Sequence, residues 1–243
     1  MILNDVLKKI KAKRKIFAVL IDPDKFPEQN LLKIITAMEA ASPDIILVGG
    51  SLVTKKTETT VEILKKHLHI PVLLFPGSLL QLTPNADGIL FISLISGRNP
   101  ELLIGNHVAS APVIKSSGME VIPTGYILIE GGTTTSVEYM SQTQPIPASK
   151  TDIAVATAIA GELLGQKLIY LEGGSGALNP VPRDMITAVK QNISIPLIVG
   201  GGLNTKEKVK DACEAGADII VVGNAFEKDL SLLKEFKEVV SSF

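Results

Sequence analysis

YLEGGSGA (170–177), LIVGGG (197–202) and IIVVGN (219–224) are three short apolar runs, each passing directly into a glycine-bearing turn. Glycine after a buried strand lets the backbone approach a ligand closely, and bare N–H groups suit an anion. One such turn would mean little. Three in succession, late in the chain, read as the phosphate grip of an α/β barrel. They make a phosphorylated small molecule the first substrate to consider.

Outward from these turns the same alternation continues. Strand-like runs lie at 16–22, 44–48, 71–75, 88–92, 121–128, 167–172, 196–200 and 218–223. Helical patterns fall at 2–13, 28–41, 57–68, 99–109, 150–164, 183–191, 205–215 and 225–240. Eight strands alternating with helices predict one (β/α)8 TIM barrel domain over residues 1–243, close to the usual size of about 250 residues. Between the third and fourth strands the segment 77–87 is short and holds Pro84, so the helix there is expected to be missing or truncated. The segment 131–148 is polar and long for a βα turn, which leaves a lid and a solvated spacer equally open.

Composition narrows the partners. Apolar residues make up 46% and Trp is absent, so the core is aliphatic, as parallel strands buried on both faces require. A net charge of −1 gives no footprint for nucleic acid. Every apolar run is shorter than the 18 or so residues of a membrane span, and MILNDVLKKIKAKRK is too charged for a signal peptide. A cytoplasmic protein is expected. Cys213 is the single cysteine and lies in a helical stretch, where it reads as a buried structural thiol.

Active sites of such barrels sit at the C-terminal ends of the strands. Alternation places Leu168, Tyr170 and Glu172 on one face, with Glu172 at the rim and Tyr170 one layer below. Glu172 is a candidate base, held beside a phosphate turn. Asp22 closes the first strand and suits a Mg²⁺ carried largely by substrate phosphates; Ser51, after Gly49 and Gly50, offers a hydroxyl on the same rim. The helices opening near Thr205 and Ala225 would point positive N-termini at the anion. Asp24 and Lys25 read as solvated, and His67, His69 and His107 as structural or solvated.

With LIDPDK (20–25), VGGS (48–51), GGTTT (131–135), PIP (145–147), YLEGGSGA, VGGG (199–202) and VGNA (222–225) assembled, the chain resembles the geranylgeranylglyceryl phosphate synthase family over nearly its whole length. The resemblance implies a prenyltransferase that joins sn-glycerol 1-phosphate to a polyprenyl diphosphate with Mg²⁺. It also implies a dimer or hexamer, and transient membrane contact through the lipid product. Carried over, it makes Tyr170, Leu171, Glu172, Gly173, Gly174, Ser175, Gly176, Gly201, Gly202, Gly223 and Asn224 the glycerol phosphate site. Tyr170 and Glu172 become the catalytic pair, with Glu172 assisting deprotonation of the glycerol 3-hydroxyl; Asp22 and Ser51 become the metal and diphosphate positions. Two departures stand out. The usual EPGTT is Glu130-Gly131-Gly132-Thr133-Thr134 here, and no lysine shortly precedes Asp22, where Val19, Leu20 and Ile21 stand. The second favours a geranylgeranyl over a heptaprenyl donor. A sugar-phosphate isomerase remains as an alternative, although VIPTGYIL (121–128) lacks the second acid such chemistry wants, as does a binder without catalysis.

Overall fold

The computed structural model describes residues 1–26 and 28–243, without the side chains of residues 28 and 29. Helix α1 (Ile2–Lys11) leads into β1 (Ile16–Ile21), α2 (Glu28–Ala41), β2 (Ile45–Val48), α3 (Thr57–His67) and β3 (Val72–Leu74). The segment 75–87, with a three-residue 3₁₀ turn at Leu79–Gln81 in place of a helix, separates β3 from β4 (Gly88–Leu94). A π turn (Glu101–Gly105) then runs into α4 (Asn106–Ser117), β5 (Glu120–Leu128), α5 (Ser136–Ser141) and α6 (Thr151–Leu163). The last third holds β6 (Leu168–Glu172), α7 (Arg183–Asn192), β7 (Leu197–Gly200), α8 (Lys206–Glu214), β8 (Ile219–Val222), α9 (Asn224–Lys228) and α10 (Leu232–Ser241). The strands pair in parallel, in sequence order, and close into a barrel through β1 and β8.

Strand alternation divides the apolar residues into two cores. Ala18, Leu47, Leu73, Leu90, Tyr126, Tyr170 and Ile198 fill the barrel, while Phe17, Ile46, Val72, Ile127, Leu171 and Val199 face the helices. Helix α1 closes the bottom. Its Val6 joins the inner core, and the N–H groups of Ile2 and Leu3 donate to the Glu120 carboxylate.

A repeated device organises the strand starts. Asp44, Asp87 and Asp218 each stand just before an even-numbered strand. The backbone N–H of each donates to the carbonyl of Phe17, Val72 and Leu197 respectively, at 2.8, 2.9 and 2.9 Å. Each carboxylate accepts the N–H of that same residue, at 3.0, 2.9 and 2.8 Å. A lysine of the surrounding layer completes each clamp: Lys9 and Lys237 on Asp44, Lys65 on Asp87 and Lys190 on Asp218. Burial alone would raise the pKa of Asp44, but Lys237, Lys9 and the Phe17 N–H hold it below the usual carboxylate range. The fourth position is Lys167, whose N–H bonds to the carbonyl of Pro123 at 2.8 Å. Proline has no N–H to satisfy, so no carboxylate is needed there. The same fact explains why a proline is tolerated inside β5.

Two expectations are corrected at the level of elements. The single helix expected over 225–240 is two, because Asp229 turns the chain by accepting the N–H and hydroxyl of Ser231 at 2.9 and 2.7 Å. The helix expected over 99–109 starts as a π turn and runs to Ser117, past Pro112, ending at Gly118. Of the segment 131–148, for which the sequence leaves a lid and a solvated spacer both open, part folds as α5 and its end is tied to the barrel by a bridge between Ile129 and Ile146, while Tyr139 and Met140 stay exposed. The missing helix after β3 is as expected.

Replacing Asp218 by Ala strands the Leu197 N–H and Lys190 and should cost about 2 kcal/mol, whereas Lys167→Ala should stay within about 0.5 kcal/mol. Pro123→Ala creates an N–H with no acceptor; adding Lys167→Asp should return about 1 kcal/mol of that loss in a urea-denaturation double-mutant cycle.

Candidate functional site

Glu172 ends β6 on the inner face and is only 5% exposed. Below it Tyr170 is fully buried, its ring packed on Tyr126 (centroids 5.2 Å apart) and Phe75 (5.6 Å). The Tyr170 hydroxyl lies beneath Gly200 and beside the Glu172 carboxylate, but it falls short of ordinary hydrogen-bond geometry. Leu171 points outward into the helix-facing core, so only its backbone belongs to the rim.

Burial pushes the pKa of Glu172 up to about 7, opposed by the Tyr170 hydroxyl and by the Gly174 N–H, which donates to Oε1 at 2.7 Å. Tyr170 and Tyr126 are held well above the ordinary phenol value, first by burial and then by the Glu172 charge. A carboxyl group poised near neutral pH is suited to accept a proton.

The first two glycine turns meet at this carboxylate, and the third joins them through Ser175. Gly201 has φ +83°, and a Cβ there would lie 2.4 Å from Glu172 Oε1 and 2.5 Å from the Gly174 nitrogen. Both the left-handed backbone and the close approach demand glycine. The Gly173 N–H donates to the Gly200 carbonyl at 2.9 Å, joining the first two turns. The Ser175 hydroxyl donates to Asn224 Oδ1 at 2.6 Å, joining the first to the third. Gly202 and Gly223 complete the same rim, the former against Asn179 and the latter against Leu20 of β1. Thr205 caps α8 by accepting the Lys208 N–H at 3.3 Å. Beside Ala225 the helix is only the five residues of α9.

Asp22 stands on the neighbouring arc of the mouth, half-buried. Its carboxylate accepts the Asp24 N–H at 3.0 Å and forms no salt bridge among the described residues. Its pKa is raised, chiefly by burial. Gly50 leaves Oδ2 open: a Cβ there would come within 3.1 Å of it. Among the described residues no cluster of three or more His, Cys, Asp or Glu side chains could hold a metal. One oxygen ligand beside an open mouth fits a hard divalent cation that brings phosphate and water ligands with it, and fits no protein-only cage.

Asp24 is spent on structure, accepting the Thr54 N–H and hydroxyl and the Lys55 N–H at 2.8, 3.0 and 2.9 Å. Cys213 is 1% exposed, and burial pushes its thiol up to about 12. Glu130, two residues past the end of β5 in sequence, is exposed and accepts the Ala148 N–H at 3.2 Å. The opposed carboxylates of an isomerase are therefore not assembled at the end of β5.

An apolar cavity of about 400 Å³ opens beside Gly50 and Ser51 and runs outward across β3 and β4 to α4. Phe75, Leu82, Leu90, Phe91, Ile114 and Met140 line it, and Leu52 and Leu80 stand exposed at its mouth. It exists because the 3₁₀ turn after β3 leaves uncovered the outer side of β4, where Phe91 stands. His107, read from sequence as structural or solvated, lines this cavity; its Nε2 meets the Ser93 hydroxyl at 3.1 Å, its ring stands edge-on to Phe91, and its Nδ1 has no partner among the described residues.

The PcrB family matches residues 8–240. The geranylgeranylglyceryl phosphate synthase of Chitinophaga pinensis is 53% identical, over 93% of this chain and 90% of its own length. That of Spirosoma linguale is 49% identical, over 95% of this chain and 93% of its own. The crystal structure of (S)-3-O-geranylgeranylglyceryl phosphate synthase from Thermoplasma acidophilum in complex with its substrate sn-glycerol-1-phosphate superposes with a TM-score of 0.93 at 32% identity, covering 99% of this chain and 98% of that one.

Because the Glu172 pKa is raised, the folded chain binds more protons than the unfolded one between pH 4.5 and about 7. Stability from this group is full below that window and is lost as pH rises through it, by roughly 3 kcal/mol. Glu172→Gln should therefore raise the urea midpoint at pH 8 and leave it nearly unchanged at pH 4.5.

Proposed function

The chain belongs to the PcrB family, and from that membership we propose that it is a prenyltransferase of the geranylgeranylglyceryl phosphate synthase type. It joins the 3-hydroxyl of sn-glycerol 1-phosphate to geranylgeranyl diphosphate, releasing diphosphate. The observation that carries this reading is one barrel mouth with two contrasting halves. Glycine turns surround a buried carboxyl group of pKa about 7, and an apolar cavity of about 400 Å³ opens beside Gly50 and Ser51.

In the proposed mechanism the glycine turns at Gly173, Gly174, Ser175, Gly176, Gly201, Gly202, Gly223 and Asn224 hold the phosphate of the acceptor. That places its 3-hydroxyl at the Glu172 carboxylate. The diphosphate of the donor lies at Asp22 and Ser51, with its apolar chain in the cavity. Mg²⁺, when bound there with Asp22 as its protein ligand, supplies neutralisation of the diphosphate charge. The bond from C1 to the diphosphate oxygen breaks as positive charge spreads over the allyl unit. The glycerol oxygen bonds to C1, its proton passes to Glu172, and diphosphate departs with the bonding pair. Glu172 then releases the proton to water. Tyr170 serves from below: its ring supports the rim, and its hydroxyl stays protonated beside the carboxylate. Holding both reactants in line supplies a large part of the rate, because it replaces an encounter in solution.

The proposed location is the cytoplasm; among the described residues no helix is long and apolar enough to cross a membrane. Leu52, Leu80 and Met140, exposed at the cavity mouth, support a transient membrane contact through which a lipid product could leave. Ile104 and Val108 before and on α4, with Ile153 on α6 and Leu164 just beyond it, are exposed apolar side chains that support a homo-oligomer.

Incubation with labelled sn-glycerol 1-phosphate, Mg²⁺ and geranylgeranyl diphosphate should give an organic-extractable product; no product with any prenyl donor would overturn the reading. Glu172→Gln should lower kcat by about 10²- to 10⁴-fold. Wild-type kcat should climb with pH through about 7 as Glu172 ionises. Ser110, buried on α4 and lining the cavity, supplies a test of donor placement. Ser110→Phe should suppress turnover of geranylgeranyl diphosphate more than of geranyl diphosphate.

A further inference from the structure

Gln81, at the end of the 3₁₀ turn that replaces a helix, is 1% exposed and lies at the mouth of the barrel. Its side-chain Oε1 accepts the N–H of Gly50 at 3.1 Å and of Gly77 at 3.3 Å, and its Nε2 donates to the Gly50 carbonyl at 2.7 Å. Both backbone groups of Gly50 are thus held by one amide. The pattern of two donors facing oxygen and one acceptor facing nitrogen fixes which way the amide points. Gly50 also adjoins Asp22: a Cβ on it would lie 3.1 Å from Asp22 Oδ2. Ser51 follows directly, and its hydroxyl makes no hydrogen bond among the described residues.

We propose that Gln81 is a positioning residue for the donor's diphosphate: by clamping Gly50 from the β3 turn, it sets the spacing between Asp22 and Ser51. This rests on the reading of those two residues as the diphosphate and Mg²⁺ position. A turn of four consecutive residues, 49–52, with two glycines would otherwise sample many conformations, and the entropy of ordering it would be lost on each binding event. The buried amide removes that freedom in advance. The truncated unit after β3 then has two consequences: it opens the apolar cavity, and it brings a glutamine where a helix would have begun. The acceptor's glycine turns follow β6, β7 and β8 and, among the described residues, share no hydrogen bond with the Gln81 side chain, so the effect is confined to one substrate.

The test is Gln81→Met, which keeps the length and removes all three hydrogen bonds, measured by calorimetry with inorganic pyrophosphate plus Mg²⁺ and by steady-state kinetics. Affinity for Mg²⁺-pyrophosphate should fall, and KM for the prenyl donor rise, by about tenfold or more, the scale of losing one to two net hydrogen bonds. KM for sn-glycerol 1-phosphate should stay within about twofold of wild type, a split that a merely structural loss would not produce. Gln81→Asn, which keeps the amide on a shorter stem, should show the same selectivity at smaller size, and it decides the matter if Gln81→Met does not fold. Equal losses for both substrates, or no loss, would overturn the role of Gln81. Asp22→Asn and Ser51→Ala separate this from the underlying reading. If neither weakens Mg²⁺-pyrophosphate, the diphosphate site itself is misplaced; if both weaken it while Gln81→Met does not, only the clamp is wrong.

Discussion

A closed parallel barrel leaves no strand edge, yet the N–H groups at the strand starts still need acceptors in a region too buried for water to serve. The chain meets this constraint with one residue type at one register position. Asp44, Asp87 and Asp218 each exchange two hydrogen bonds with the first residues of the preceding strand and tie a lysine from the surrounding layer to them. The exception follows from the same reasoning, since Pro123 presents no N–H and Lys167 occupies the fourth place. Buried hydrogen bonds are modest when made and expensive when left unmade. Register at the bottom of the barrel therefore propagates upward to where Glu172, Gly200 and Asp22 stand.

The top of the barrel is uneven by design of the chain. On the arc from β6 to β8, glycines let two turns crowd around one carboxylate, which is desolvated enough to hold its proton up to about neutral pH, and a third turn is tied to them by Ser175. That desolvation opposes stability and favours proton transfer, the usual conflict at a site built for chemistry. On the arc from β2 to β4 a helix is missing, and the apolar surface it would have covered becomes a cavity. One polar and one apolar substrate thus have separate surfaces on a single rim.

Much of this was legible in the residues. All eight strands lie where the apolar runs place them, because a strand buried on both faces leaves an unbroken aliphatic signature. Glu172 and Tyr170 fall on the inner face by simple alternation. Other features had no local signal. Gln81 sits in SLLQL, where nothing marks it as buried, and its importance comes from Gly50, thirty-one residues earlier. His107 belongs to the cavity because the start of α4 packs across β4, edge-on to Phe91 and beside Ser93. The break at Asp229 depends on a side chain capping a turn, which helical periodicity does not register.

The sequence by itself determined the architecture, the order of its strands, the rim on which the glycine turns lie and the family resemblance. These follow from periodicity and from short contiguous motifs, whose physics is local. Only the tertiary structure decided that Glu172 is desolvated to a pKa of about 7, that Tyr170 is sealed beneath it, that an apolar cavity opens where a helix is absent, and that Gln81 clamps the turn beside Asp22. Each of those depends on burial and on contacts between residues distant in the chain. Desolvation and hydrogen bonding act through space, and the spacing of letters along a strand carries no record of them.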